Sequence, residues 1–500
     1  MPAETLNPGM TLAELLAAVD GLPDVAVHGI ASDSRRVEPG FLFLATPGAS
    51  SHGLAFAEQA IERGAAAIAY DPAGAPDAIT DLAVPVIPVP GLAERLGEIA
   101  NRFYAEPSAA LDVFGITGTN GKTTVAWLLA RCAQALGTRC GYIGTLGAGI
   151  DSITTGHGLT TPGAVELHGM LADFRDHGAS AAAVEVSSHA LDQKRIAGVQ
   201  VRAALFTNLS RDHLDYHGSM QAYFEAKAKL FLEHAPKTKI INVDSEYGNE
   251  LANRCGDDVI TVSTRFDRVA NGRPYVFVRS VVATDSGSTV RVDSAWGSAE
   301  FTLSMPGDFN VANAVLVMAT LLNEGVALDA IARALSAAGA PPGRLERVPG
   351  DGPRVYVDFA HTPEALEFVL KALRPHVRGR LTVVFGAGGD RDPGKRPVMG
   401  RVAERLADRV VLTSDNPRSE EPLEIIEAIR AGMLKPEGAV VIEDRAAAIA
   451  WAIADAAPGD TVLVAGKGHE AFQDIGGEKR PFADMAVAAA CLAAPARRTR

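Results

Sequence analysis

Seven consecutive residues, Gly118-Thr119-Asn120-Gly121-Lys122-Thr123-Thr124, bring together two glycines, a lysine and three hydroxyls. Glycines let the backbone approach a ligand closely, and consecutive N–H groups at a helix start face an anion. A lysine there reaches terminal phosphates, and a threonine hydroxyl can ligate Mg2+. The common phosphate loop, G-x-x-x-x-G-K-[ST], would place glycine at 116 when its lysine is Lys122, and this chain has Ile116. The flanks nevertheless suit a phosphate loop. "LDVFGI" before it reads as a buried strand, and Val125, Leu128, Leu129, Cys132, Ala133 and Leu136 follow at helical spacing.

Two other stretches could carry chemistry. Glu185 stands at the end of the apolar run "AAAVEV", where a lone carboxylate is costly unless it faces a cation. "SDNPRSEEP" (414–422) follows the apolar "RVVLT" and so belongs in a loop at a strand's carboxyl end, although Asp-Asn-Pro is also plain turn chemistry. "GAGGDR" does not make a dinucleotide site, because G-x-G-x-x-G needs glycine where Arg391 stands.

These residues need a scaffold, and 500 residues exceed one ordinary core. Three α/β domains are expected, at 1–108, 109–345 and 346–500. In the first, "GFLFLA" (40–45) and "VPVIPVP" (84–90) read as strands and residues 55–70 as a helical stretch. The second carries strand-like runs with chemistry just after them, which suggests a parallel sheet with crossover helices, and a β-rich stretch at 258–304 suggests an antiparallel insertion. After "GAPPGRLERVPGDGP" the α/β rhythm restarts, and a doubly wound, Rossmann-like third domain is expected.

Composition narrows the function. Lys+Arg 47 against Asp+Glu 60 leaves a net charge of −13, which speaks against a nucleic-acid or anionic-membrane surface. No stretch approaches the ~18 apolar residues of a membrane span, and the N-terminus lacks a signal-peptide core, so the chain reads as cytoplasmic. Cys132, Cys140, Cys255 and Cys491 lack C-x-x-C spacing and read as ordinary thiols rather than zinc ligands or disulfides. With no heptad pattern, a monomer is expected.

Gly118–Thr124 resembles the ATP loop of the Mur ligases and the related folylpolyglutamate synthetases. Further stretches resemble the Mur ligases along nearly the whole chain: "LTTP" (159–162), "VEVSSHALDQKRI" (184–196), "FTNLSRDHLDYHG" (206–218), "YFEAKAKLF" (223–231), "GDFNVANA" (307–314) and "VDFAHTPEAL" (357–366), with "SDNPRSEEP". Within the family they match the branch that adds the third residue of the peptidoglycan stem peptide. The resemblance implies ATP-driven amide bond formation: the carboxylate of a UDP-linked muramoyl dipeptide is phosphorylated and an amine attacks the acyl phosphate. Positioning and charge neutralisation would supply the catalysis.

The same resemblance assigns residues. Lys122, Glu185, His213 and Lys227 are the catalytic set. Mg2+ would be held by Thr123, Glu185, His213 and Lys227, the last carrying CO2 as a carbamate (N6-carboxylysine). Gly118, Thr119, Asn120, Gly121, Lys122, Thr123, Thr124, Asn310, Arg344, Asp358 and His361 would bind ATP, with the last domain closing over the nucleotide. Ser32, Ser34, Thr160, Thr161, Ser187, Gln193 and Arg195 would hold the UDP-muramoyl dipeptide.

The amine would be meso-diaminopimelate, held by Arg391, Asp415, Asn416, Pro417, Arg418, Gly466 and Glu470. Arg418 can grip a distal carboxylate in two places and would repel the cationic end of lysine, and Glu470 can take the distal ammonium. The alternatives are an L-lysine-adding enzyme, a folylpolyglutamate synthetase-like ligase, and a nucleotide-binding module without ligase activity. The module before the phosphate loop counts against the second, and a second metal site counts against the third.

Overall fold

The computed structural model describes residues 9–493 apart from 18, 20, 49–50, 77–81, 155–157, 266–271 and 286. The chain forms two compact units. One comprises residues up to Lys122 with Gly137–Ile241 and Glu250–Val259, and the other Thr123–Leu136, Asn242–Asn249 and Ile260 onward.

The first unit begins with a parallel sheet of β1 (Gly29–Ala31), β2 (Phe41–Ala45), β3 (Ala67–Tyr70) and β4 (Val86–Pro88), paired in that order. Side chains alternate along β2, as the period of a strand requires. Leu42 and Leu44 join Ile30, Ala67 and Leu92 on one face, while Phe43 and Ala45 meet Ala57 and Ala60 on the other. The stretch 55–70 is not one helix. α1 (Ala57–Glu62) stops before Gly64, whose φ of +95° no L side chain adopts easily, and Ala67–Tyr70 is strand β3. α2 (Leu92–Phe103) completes this module.

The same unit holds β5 (Asp112–Thr117), after which the chain enters α3 (Lys122–Ala135), counted from Thr123 on with the other unit. Then come β6 (Cys140–Gly144), β7 (Gly147–Gly149), α4 (Ala164–Asp176), β8 (Ala181–Glu185), the short α5 (Ser188–Asp192), β9 (Ala203–Phe206), α6 (Met220–Leu232) and β10 (Thr238–Asn242). The spatial order is β10-β9-β5-β8-β6-β7, with every pairing parallel except β6–β7. The chain runs from β5 out to β6, returns to β8, then crosses to β9 on the other side. Beside β5, therefore, the strand order reverses and the carboxyl ends of β5, β8 and β9 leave a crevice, the usual place for a ligand in an open α/β sheet.

In the second unit β11 (Tyr275–Thr284), β12 (Gly287–Ser294) and β13 (Gly297–Leu303) form an antiparallel meander, as expected for most of 258–304, but Thr261–Ser263 at the start of that stretch pairs in parallel with β11. α7 (Asp308–Asn323) follows, apolar on nearly all sides and correspondingly buried.

The last sheet runs β14 (Arg354–Asp358), β18 (Thr461–Ala465), β15 (Leu381–Phe385), β16 (Arg409–Leu412), β17 (Val440–Val441), these five parallel, with the two residues Glu346–Arg347 pairing antiparallel on the outer edge of β14. Tyr356, Val383, Phe385 and Leu463 pack against α8 (Pro363–Leu373), α9 (Lys395–Leu406) and α10 (Pro422–Arg430). Val357, Val384, Val411 and Val462 pack against α11 (Arg445–Asp455) and α12 (Asp484–Ala493) on the opposite face. That is the doubly wound arrangement expected. Each fully buried side chain of this kind contributes about 1.5–3 kcal/mol.

Candidate active site

Ile116 lies inside β5 and is wholly buried, so it belongs to the core, and the loop's first glycine is Gly118. Gly118 has φ +149°, and a Cβ there would fall 1.8 Å from Thr207 Oγ1. The loop is braced by the residues after β9. Thr119 N donates to Asn208 O at 2.9 Å, Asn120 N to Asn208 Oδ1 at 3.0 Å, and Thr207 Oγ1 to Asn120 O at 2.6 Å. Lys122 Nζ curls back onto Gly118 O and Thr119 O, both at 2.9 Å. Thr123 and Thr124 are buried in the first turn of α3.

Lys227, on α6, is not a surface lysine. It is 1% exposed, its Nζ donates to Gly118 O at 2.8 Å, and it stands 4.5 Å over the ring of Tyr223. Burial drives its pKa well below the usual lysine value, and the neighbouring Lys122 pushes the same way while Asp212 opposes. The amine is thereby biased toward its neutral, nucleophilic form. The Tyr223 phenol, pushed up to about 12 by burial, lies 3.1 Å from Thr119 Oγ1.

Glu185 is buried but not lone. It accepts hydrogen bonds from the Tyr142 hydroxyl, Thr145 N at 3.0 Å and Thr145 Oγ1 at 3.1 Å. Contrary to what its place at the end of an apolar strand implies, burial of Glu185 does not by itself demand a cation, since neutral donors already offset the desolvation. Gly144 makes the approach possible, because a Cβ there would meet Glu185 Oε1 at 2.1 Å.

His213 occupies a positive-φ position (φ 50°) on a half-exposed loop, 4.8 Å edge-on to His189. Among the described residues no three His, Cys, Asp or Glu side chains are grouped to hold a metal. Even so, the Glu185 carboxylate and a carbamate on Lys227 would be hard oxygen donors of the kind Mg2+ takes. An unmodified Lys227 amine is no such ligand.

The residues expected to hold the dipeptide form one network. Thr161 Oγ1 donates to Glu185 O at 2.7 Å and accepts from Ser187 N at 3.0 Å; Ser187 Oγ caps α5 through Ala190 N at 3.1 Å. Arg195 donates to Thr161 O at 3.0 Å and to Gln193 Oε1, and Thr160 Oγ1 accepts from Thr145 Oγ1 at 3.2 Å. Ser34 Oγ donates to Gln59 Oε1 at 2.6 Å and is 5% exposed, whereas Ser32 is half-buried just before it.

In the second unit Asn310 is buried in α7, its amide donating to Pro306 O at 2.8 Å. Asp358 ends β14, accepts from Leu345 N at 2.7 Å and Ala360 N at 2.8 Å, and has its pKa raised by burial against the pull of Arg344. The Arg344 guanidinium lies 5.0 Å over Phe359, whose ring is 4.7 Å from His361.

The turn after β16 gathers the expected amino-acid ligands. Arg418 adopts φ 52°; its N–H donates to Asp474 O at 3.0 Å and its guanidinium to Gly389 O at 2.5 Å. Asp415 Oδ2 is buried without a hydrogen-bond partner, and Gly466 is required beside it because a Cβ would lie 2.3 Å from that oxygen. Asn416 Nδ2 donates to Glu470 Oε2 at 2.9 Å, Pro417 is buried, and Arg391 is exposed. Tyr142, Thr145, Thr207, Asn208 and Lys467 were not singled out from the sequence. Thr207 and Asn208 fall within the quoted stretch 206–218, yet their types alone assign them no role, and only the folded chain brings these five residues to the groups they hold.

Three family models match in succession: Mur ligase family, catalytic domain over residues 26–104, Mur ligase middle domain over 116–321, and Mur ligase, glutamate ligase domain over 343–468. The chain is 46% identical to a UDP-N-acetylmuramoyl-L-alanyl-D-glutamate--2,6-diaminopimelate ligase of Ectopseudomonas mendocina, over 97% of this chain and 98% of the relative. It is 45% identical to the protein so named in Pseudomonas putida, with the same coverage. A solved structure of an enzyme with that name superposes with TM-score 0.71 and 33% identity, over 97% of this chain and 99% of the other. The phosphate loop, its bracing strand ends and the three successive domains thus have one origin: the chain belongs to the Mur ligase family.

Proposed function

We propose that the chain is an ATP-dependent ligase that joins meso-diaminopimelate to UDP-N-acetylmuramoyl-L-alanyl-D-glutamate during peptidoglycan precursor synthesis, with domain boundaries near 108 and 345. The single observation that carries this reading is 46% identity over 97% of the chain to a relative bearing that name. The cytoplasm, where ATP is available, is the compartment we assign, and we expect a monomer. No helix among the described residues is long and apolar enough to cross a membrane.

In this reading the main-chain N–H groups around Gly118–Thr124 cradle the ATP phosphates, and Lys122 exchanges its bonds to the loop carbonyls for the terminal phosphate. Arg195, anchored through Thr161 and Gln193, holds the dipeptide near Glu185. The dipeptide's free carboxylate attacks the terminal phosphorus, ADP leaves, and the amine of diaminopimelate attacks the acyl carbon and expels phosphate. Lys227, as a neutral amine, adds to CO2 with loss of a proton and becomes an anionic carbamate. Bound Mg2+, held by Thr123, Glu185, His213 and that carbamate, would neutralise phosphate charge.

Asp358, Arg344, His361 and Asn310 serve the nucleotide. Arg418 serves the distal carboxylate of the amine, with Arg391, Asp415, Asn416, Pro417, Gly466 and Glu470 around it; Ser32 and Ser34 serve the uridine diphosphate.

The test is phosphate release from ATP with the UDP-dipeptide and either meso-diaminopimelate or L-lysine. Release with diaminopimelate is expected. No release with either amine sinks the ligase reading, and release with lysine alone sinks the role of Arg418.

A further inference from the structure

Lys467 follows β18 and has a side chain with no exposure, a costly place for an ammonium unless it is fully paired. Its Nζ donates to Asn416 Oδ1 at 2.8 Å and to Glu470 Oε2 at 2.9 Å, with the ring of Phe472 5.7 Å away. Asp474 N also donates to Asn416 Oδ1, at 3.0 Å. Two donors on that oxygen fix which way the amide faces, so its Nδ2 is turned onto Glu470 Oε2, at 2.9 Å. One oxygen of Glu470 thus receives both the ammonium and the amide. The other takes no hydrogen bond from the described residues, on a side chain 26% exposed.

We propose that Lys467 is a positioning residue for the amine substrate: from behind, it locks the Asn416 amide and the Glu470 carboxylate so that the second Glu470 oxygen is presented to the distal ammonium. The proposal rests on the reading of this turn as the amino-acid site. Lys467 itself is sealed from solvent and acts only through its two partners. Without its charge the amide is free to flip, and the carboxylate loses the bond that sets its rotamer.

Full-length Lys467→Gln is assayed with ATP and UDP-dipeptide saturating. The KM for meso-diaminopimelate is expected to rise about tenfold or more, with kcat within about threefold and the KM for ATP within about twofold. Lys467→Arg, which can still donate to both partners, should recover much of the loss. In a Lys467→Gln/Glu470→Gln double variant the KM should lie within about twofold of that of Glu470→Gln alone, because Lys467 works through Glu470.

An unchanged KM for the amine in a folded Lys467→Gln protein overturns the proposal. So does an equal loss for ATP and amine, or multiplying effects in the double variant. Should Lys467→Gln melt at the assay temperature, Lys467→Met and Glu470→Gln with their double variant carry the same comparison. A wild-type protein that ignores diaminopimelate refutes the reading of the site instead; if it uses L-lysine, the same variants are compared with that amine.

Discussion

Lys122 and Lys227 share one acceptor, Gly118 O, so two side-chain amines converge on a single carbonyl of the phosphate loop. An anionic ligand is the natural partner for the Lys122 ammonium. Lys122→Ala should lower kcat/KM about 10²-fold or more, the usual cost of removing a charged donor from a transferring phosphoryl group, while the melting temperature stays nearly unchanged. Lys227→Ala should lose most activity and regain part of it with added formate or acetate, which can stand where the carbamate would be. Full activity of that variant without additive would remove the carbamate from the mechanism. The depressed pKa of Lys227 supports carbamate formation, because only the uncharged amine attacks CO2.

At the scale of elements, the carboxyl ends of strands carry the chemistry, and buried pairs hold those ends still. Arg445, at the start of α11, and Asp484, at the start of α12, are both wholly buried and make a doubly bonded ion pair at 2.7 Å. The guanidinium also donates to Ala465 O at 2.9 Å and Ser414 O at 3.3 Å, the residues just before Gly466 and Asp415. Asp484→Asn strands a buried guanidinium and should cost about 3–5 kcal/mol in denaturant unfolding. Gly118→Ala should abolish nucleotide binding, read by calorimetry, because its Cβ cannot coexist with Thr207 Oγ1.

On α4, His168 is fully buried, with one ring nitrogen on Ala197 O and its pKa lowered by burial. The unfolded chain therefore binds that proton more tightly, so this contribution to stability is lost as pH falls below about 6.5, the unfolded value. His168→Gln should flatten the fall in unfolding free energy over that range.

For the whole molecule, thiol chemistry gives a simple check. Burial pushes the Cys132 and Cys140 thiols up to about 12, whereas Cys255 and Cys491 are only half-buried. A thiol reagent at neutral pH should leave Cys132 and Cys140 unmodified until the protein unfolds, as read by peptide mass after a timed pulse. Apolar alternation, glycine-marked turns and the residues Gly118–Thr124 and Asp415–Arg418 were legible in the sequence, because local spacing encodes strands, helices and phosphate loops. They gave the doubly wound last domain and the antiparallel meander. The division of 55–70 into a helix and a strand was not legible, since an alanine-rich run suits both periods and Gly64 decides between them.

The fate of buried polar groups was equally hidden. Burial alone pointed from Glu185 to a cation, yet its nearest donors are Tyr142 and Thr145, more than forty and exactly forty residues upstream respectively by chain position. Composition alone would make Lys227 a surface residue in its helix, and nothing in the sequence marks Lys467 as buried. The sequence by itself determined which residue types could do the chemistry and the local elements that carry them. Tertiary structure alone decided which of those residues meet, and at what protonation, because desolvation and hydrogen bonding depend on neighbours that chain spacing does not record.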